Sequence, residues 1–292
     1  MMQTGIQRNA MTNVRRRDMI CDKIKLNVPY ENAGIQKQPY QPELHTYLLE
    51  PAHVPMKRPA VIVCPGGGYG FTSPREGEPV AVQYNAAGYQ AFVLWYSVAP
   101  DVWPAALLEL AYSVAYVRSH AEEWGIDPDK IIVAGFSAGG HLAASLATFW
   151  DQEFVWKPLG LTGDMVRPNG AILSYPVITS GEYAHRGSFV NLLGERYEEL
   201  LDYVSLEKQA GNQNPPTFIW HTYSDQAVPV ENSLFFMEAL RKANVPAELH
   251  IFPEGPHGLS LANRETASSL EEKEYTAVQP WMKLSCTWIQ GL

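Results

Sequence analysis

Lys130-Ile131-Ile132-Val133-Ala134-Gly135-Phe136-Ser137-Ala138-Gly139 joins an apolar, strand-like run to a serine with glycines two places before and two after it. Ala138 to Phe149 then continues as a helix-forming sequence. A serine hydroxyl is a weak nucleophile at neutral pH. To use one, a chain must lift it out of the backbone at a sharp turn, beside a base and donors for an oxyanion. A strand, a Gly-x-Ser-x-Gly turn and a helix in that order supply such a turn, whereas the same glycines without the flanking elements would be an ordinary loop.

Outward from this turn the chain alternates. Upstream, Ala60-Val61-Ile62-Val63-Cys64 is a continuous apolar run of the kind found in parallel strands covered on both faces, and it ends at Pro65-Gly66-Gly67-Gly68. A helix is expected from Glu76 to Ala87 with Gly88 as its left-handed stop, then a strand over Tyr89 to Tyr96. Pro104 opens a long helix with Leu107, Leu110, Ala111 and Val114 at helical spacing, closed by Gly125 and Asp127-Pro128. Downstream, Ala171 to Tyr175, Thr217 to His221 and Ala247 to Phe252 read as strands, Glu231 to Ala243 and about Leu270 to Ile289 as helices. Lys23 to Val28 and Glu43 to Glu50 read as an antiparallel edge, joined through a Pro- and Gly-marked loop. This alternation predicts an α/β fold, a doubly wound and mostly parallel sheet with right-handed crossovers. Residues 21–292 are expected to form a single domain, with an inserted cap at about 176–215 that contains one short helix near Glu195 to Tyr203.

Composition narrows the function. With 292 residues, 46% hydrophobic and 18% charged, the chain can bury a large core, and no apolar run approaches the roughly 18 residues that span a bilayer. A net charge of -9 argues against a broad nucleic-acid or anionic-membrane surface, since both need clustered Lys and Arg. The one basic cluster, Arg15-Arg16-Arg17, reads as a solvated turn or tail. Cys21, Cys64 and Cys286 are odd in number and lack metal-ligand spacing, so neither a disulfide framework nor a zinc site is expected. Residues 1–20 carry Arg but no apolar stretch of signal-peptide length, and are expected to be a weakly structured leader on a cytoplasmic protein. A homo-oligomer is left open.

A serine nucleophile needs a general base, and the base an orienting acid. Asp225 follows the strand ending at His221, and His257 follows the strand ending at Phe252, so both stand at carboxyl ends of strands, where open α/β sheets meet their ligands. The expected triad is Ser137, Asp225 and His257. The expected oxyanion donors are the amides of Ala138, opening the elbow helix, and of Gly67 and Gly68, where the missing side chain lets substrate approach the backbone. The remaining histidines score lower, although His221 and His141 lie close enough in sequence to line a pocket. Tyr69, Phe71, Trp95, Trp103, Tyr175 and Tyr183 fall in or near loops at the sheet's working edge; Tyr69, His141 and Tyr175 are the expected pocket residues.

The segments PGGGY at 65–69, GFSAGGH at 135–141, the Asp225 loop and PHG at 256–258 together resemble the α/β-hydrolase superfamily. Within it the chain is similar to the bacterial esterase/lipase branch related to hormone-sensitive lipase, particularly acetyl-xylan esterases, over roughly Pro59 to Leu292. Many members of the wider branch carry a His before the glycine run, where this chain has Cys64-Pro65. The resemblance implies hydrolysis of short acyl esters without metal or organic cofactor, with an acetylated sugar or other small acyl ester as the partner. Two other readings stand beside it: a serine peptidase of the same fold, and a non-catalytic ligand-binding member.

Overall fold

A computed structural model describes residues 19–50 and 56–292. The Arg15-Arg16-Arg17 cluster and nearly all of the expected leader lie outside the described residues; its last residue, Ile20, forms a bridge with Leu48. The chain runs β1 (Lys23–Lys25), β2 (Glu43–Tyr47), β3 (Arg58–Cys64), α1 (Glu78–Ala86), β4 (Gln90–Trp95), α2 (Ala105–Ser119), β5 (Ile126–Phe136), α3 (Ala138–Phe149), α4 (Glu153–Trp156), α5 (Gly163–Val166) and β6 (Gly170–Ser174). It continues with α6 (Arg186–Leu193), α7 (Tyr197–Leu200), α8 (Leu206–Gln209), β7 (Thr217–Thr222), α9 (Glu231–Lys242), β8 (Ala247–Phe252) and α10 (Trp281–Gln290).

The eight strands form one sheet in the order β1-β2-β4-β3-β5-β6-β7-β8. β1 and β2 run antiparallel at one edge, and β3 to β8 are mutually parallel. Side chains alternate across the sheet. Ala60, Ile62, Phe92, Leu94, Ile131, Val133 and Leu173 join α2, α3 and α9 in one apolar layer, while Val61, Val63, Ala91, Val93, Ile132 and Ile172 join α1 and α10 in the other. Both faces are therefore covered, which is why these strands read as unbroken apolar runs. The α3 helix is buried along its whole length, and its Ala, Gly and Ser residues let it lie close to the sheet. Among the described residues no helix is long and apolar enough to cross a membrane.

The sheet order fixes where a ligand can sit. From β3 the chain crosses to β4 on one side, then returns to β5 on the other side of β3, so the crevice opens beyond the carboxyl ends of β3 and β5. Cys64 pairs in register with Gly135, which brings the Pro65–Gly68 loop beside Ser137.

Three expectations need correction. β5 begins at Ile126 rather than after Asp127-Pro128, because those residues form a bulge: Arg58 pairs with Ile126 but Ala60 with Ile131, and Asp127 Oδ1 caps the amide of Asp129 at 3.1 Å. The last helix starts at Trp281, not Leu270. Residues 267–280 form turns, with Glu272 accepting from the Ser268 backbone and hydroxyl, and Pro280 sets the helix start. The insertion between β6 and β7 holds α6, α7 and α8 rather than one short helix.

Candidate active site

The elbow is built by contact. Ser137 has φ 53° and ψ -117°, a backbone conformation that costs about 1–3 kcal/mol for a residue with a side chain. A Cβ on Gly135 would overlap the Gly139 carbonyl, and one on Gly139 would overlap the carbonyls of Cys64 and Pro65. The two framing glycines thus let β5, α3 and the end of β3 meet backbone to backbone. The Ser137 amide donates to the Ser174 carbonyl at 3.0 Å, and its carbonyl accepts from Val177 and His141, each at 3.0 Å. Tyr69, Tyr175 and Ser260 beside the site also hold positive φ without being glycine, as do Ala262 and, before β8 at the other end of the sheet, Asn244.

Ser137 Oγ lies 2.7 Å from His257 Nε2, and His257 Nδ1 lies 2.6 Å from Asp225 Oδ2. Asp225 Oδ1 accepts the amides of Ala227 and Val228 at 2.9 and 3.0 Å. Burial would raise the Asp225 pKa, but hydrogen bonds from His221 and His257, the nearby His257 charge and the Val228 amide outweigh it and hold the carboxyl well below its ordinary range. His221 Nε2 is nearer the Val228 carbonyl, at 2.9 Å, than Asp225 Oδ2, at 3.4 Å, so its chief donation goes to Val228. The Asp225 and His257 loops are laced together: Thr222 Oγ1 donates to the Gly255 carbonyl at 2.9 Å, and the Gly255 amide donates to Ser224 Oγ at 3.0 Å.

A cavity of about 530 Å³ opens over Ser137 and His257. Gly67 and Gly68, with φ 129° and 62°, line it, and neither amide donates to another protein group among the described residues. Ala138 is the first residue of α3, one of the positions whose amides a helix leaves unpaired. The arrangement can pass a proton from Ser137 to His257 and offers backbone donors beside the serine.

The expected pocket residues lie elsewhere. Tyr69, His141 and Tyr175 are 2%, 0% and 1% exposed, and none lines the cavity. Their polar atoms face inward: Tyr69 OH donates to His141 Nδ1 at 2.9 Å, and His141 Nε2–H donates to the Val204 carbonyl at 2.9 Å. Burial, against the bond to Val204, lowers the His141 pKa to about 4, so the ring is neutral. These residues brace the site from behind, because an aromatic ring at a strand end can turn under the loop as readily as over it. Of the six edge aromatics only Phe71 lines the cavity, 62% exposed.

The wall also contains Arg75, Glu76, His185 and Asn191, which sequence reasoning did not single out. Asn191 Nδ2 donates to the Gly68 carbonyl at 2.9 Å, tying the insertion to the glycine loop. His185 Nδ1 accepts from the Ser188 amide at 3.3 Å at the start of α6, which leaves the neutral ring a donor at Nε2. No sequence rule marked His185, since His is not among the residues favoured at a helix start.

Among known proteins, the family model BD-FAE matches residues 47–165, and that of the Prolyl oligopeptidase family residues 112–283. Endo-1,4-beta-xylanase B of Butyrivibrio fibrisolvens is 41% identical over 231 residues, covering 77% of this chain and 36% of its own length. Acetylxylan esterase of Xylanibacter ruminicola is 32% identical over 209 residues, 69% of this chain and 41% of its own. The chain therefore spans about two-fifths or less of these curated relatives. The crystal structure of the acetyl ester-xyloside bifunctional hydrolase from Caldicellulosiruptor lactoaceticus is 39% identical, with a TM-score of 0.79, covering 92% of this chain and 96% of that one. With its eight-stranded, mostly parallel sheet and these relatives, the chain belongs to the α/β-hydrolase superfamily, in its esterase branch.

Proposed function

We propose that the chain is a serine carboxylesterase that removes short acyl groups, acetyl foremost, from carbohydrates such as acetylated xylo-oligosaccharides. The observation that carries this reading is the pair of hydrogen bonds joining Ser137, His257 and Asp225, at 2.7 and 2.6 Å, beneath an open cavity. Ser137 Oγ attacks the ester carbonyl carbon while its proton passes to His257 Nε2. Asp225 holds the imidazole by Nδ1–H and balances the imidazolium. The amides of Ala138 and of Gly67 or Gly68 receive the oxyanion. As the tetrahedral intermediate collapses, the C–O bond to the sugar breaks and His257 returns the proton to the leaving alkoxide. Water then attacks the acyl-enzyme, giving its proton to His257, and collapse frees the acid and returns the proton to Ser137 Oγ.

The sugar assignment draws on the cavity wall and the relatives. Phe71 offers an exposed aromatic face at the mouth, and the insertion contributes His185 and Asn191 as polar groups suited to hydroxyls. Two relatives are named for acetylated xylan or xyloside substrates. Acyl length is tested with p-nitrophenyl esters from acetate to decanoate, run beside acetylated xylo-oligosaccharides. Each methylene beyond butyrate that finds no room gains none of the about 0.8 kcal/mol that burial would give and adds a steric cost, so kcat/KM should fall beyond butyrate instead of rising about fourfold per carbon. A preference for octanoate, or no acetate released from any acetylated sugar at millimolar concentration, contradicts the substrate class and leaves the esterase reading standing. The match to the Prolyl oligopeptidase family favours a second reading, a peptidase. Turnover of an aminoacyl amide without turnover of acetyl esters would establish that one instead.

A further inference from the structure

Glu76 is a carboxylic acid 3% exposed in the wall of the site, and the proposed reaction gives it no task. Both of its oxygens are engaged, and by different parts of the site. Oε2 accepts the Gly66 amide at 2.8 Å; Oε1 accepts Tyr175 OH at 2.7 Å. Tyr175 OH in turn accepts the Ser260 amide at 2.9 Å, and the Tyr175 ring meets His257 edge-on at 5.0 Å between centroids. Gly66 immediately precedes the two glycines of the oxyanion loop, and Ser260 lies three residues past His257.

The same short helix, Pro74–Glu76, holds the His257 loop by two further routes. The Arg75 guanidinium donates to the carbonyls of Gly258, at 2.6 Å, and Thr266, at 2.9 Å. The Arg75 carbonyl accepts Ser260 Oγ at 2.7 Å. Fit is tight at the other end as well: a Cβ on Gly66 would stand 2.7 Å from Glu76 Oε2 and 3.0 Å from Ser137 Cβ. The carboxylate therefore occupies the space a side chain would need and lies against the elbow.

We propose that Glu76 is a positioning residue, which fixes the oxyanion loop through Gly66 and the His257 loop through Tyr175, and so sets the separation between the oxyanion donors and the general base. The proposal rests on the serine-esterase reading above. Its logic is geometric. Gly67 and Gly68 hang from β3, and His257 from β8, at the far edge of the sheet, so no strand pairing ties one to the other. A buried carboxylate with two directed acceptor oxygens spans that gap, and its donors, the Gly66 amide and the Tyr175 hydroxyl, belong to buried residues. The burial that makes this link rigid also raises the Glu76 pKa, against the bonds from Tyr175 and Gly66 and the charges of His257 and Arg75. Misplacing reacting groups by about 1 Å can cost about a hundredfold in rate, so loss of the link should appear in the chemical step rather than in substrate binding.

The test compares wild type with Glu76→Gln, Tyr175→Phe, the double variant and Ser137→Ala, on p-nitrophenyl acetate, with melting temperature and the rate of fluorophosphonate labelling measured on each. Gln keeps the volume and one acceptor oxygen but cannot accept on both arms; Phe keeps the ring and removes the hydroxyl. Glu76→Gln and Tyr175→Phe should each lower kcat by about tenfold to a hundredfold and slow labelling in parallel, with KM changed less than about threefold. The double variant should lose no more than about the larger single loss, because both changes cut one link. Wild-type kcat and labelling rate in both single variants, beside an inactive Ser137→Ala, would overturn the positioning role alone. So would a loss of kcat that merely follows a lowered melting temperature, or additive losses in the double variant. Full activity in Ser137→Ala would instead overturn the esterase reading on which the proposal stands.

Discussion

At the residue scale, Ser137, Asp225 and His257 are each legible in the sequence because each lies in a loop just past a strand, marked by apolar runs in β5 and β7 and by the Pro253-Glu254-Gly255 turn after the more polar β8. Ser137→Ala should lower kcat by on the order of 10⁶, while leaving the fold intact, since Ala adopts the same strained φ at no greater cost. Steady-state kinetics with a melting curve decides it, and wild-type turnover would refute the assignment. Asp225→Asn should lower kcat by about 10⁴ at neutral pH, because an amide can present the wrong partner to His257 Nδ1. A small loss there beside a large one in Glu254→Gln would mean the acid was misassigned. What the sequence could not disclose was the direction of side chains. Tyr69 and Tyr175 stand beside the site as expected, yet their rings lie beneath it, and only the surrounding loops decide that. Glu76 was hidden for the same reason: in one dimension it is an ordinary first-turn acid, and its partners Gly66, Tyr175 and, through Tyr175, Ser260 are brought to it by three separate segments.

At the scale of elements, the elbow predicts which glycines matter. In Gly139→Ala the new methyl falls on the carbonyls of Cys64 and Pro65, backbone atoms at the end of β3, so a cost of roughly 3 kcal/mol or more is expected in urea unfolding. Gly160→Ala meets open space at φ 68° and should cost only about 1–2 kcal/mol of strain. Equal costs would contradict the packing argument. A second element-scale device lies under α2. Glu109 is fully buried there and accepts Tyr30 OH at 2.6 Å, Ser97 Oγ at 2.5 Å and the Ser97 amide at 2.7 Å. Burial outweighs these bonds and the nearby Lys37 charge, raising its pKa from 4.5 to about 7. The folded state therefore holds this proton more tightly than the unfolded chain. The resulting stability is fully present below about pH 4.5 and is lost as pH rises through 7, on the order of 3 kcal/mol. Unfolding free energies at pH 4.5 and pH 8 should differ less in Glu109→Gln than in wild type by about that amount; an unchanged difference would remove Glu109 as the cause. The strands and α3 were readable because their periodicity is local. The β5 bulge and the late start of α10 were not, since Asp127-Pro128 breaks a strand or sits within one according to its neighbour's register.

At the scale of the molecule, the parallel sheet does what no local signal can: it gathers the carboxyl ends of β5, β7 and β8 so that residues 120 positions apart, Ser137 and His257, share a hydrogen bond. The order of strands and helices in the sequence sufficed to foresee that gathering, because right-handed crossovers leave few ways to wind such a sheet. The insertion between β6 and β7 was less legible, as its helices of 8, 4 and 4 residues are too short to carry a clear periodic signal. On the esterase reading, this gathering makes Ser137 a nucleophile. Peptide mapping by mass spectrometry after treatment with a fluorophosphonate decides whether it does. A single adduct on the peptide carrying Ser137, absent from Ser137→Ala and formed far more slowly in His257→Ala, is the predicted result. An adduct on a different serine, or ester hydrolysis that persists in Ser137→Ala, would contradict it.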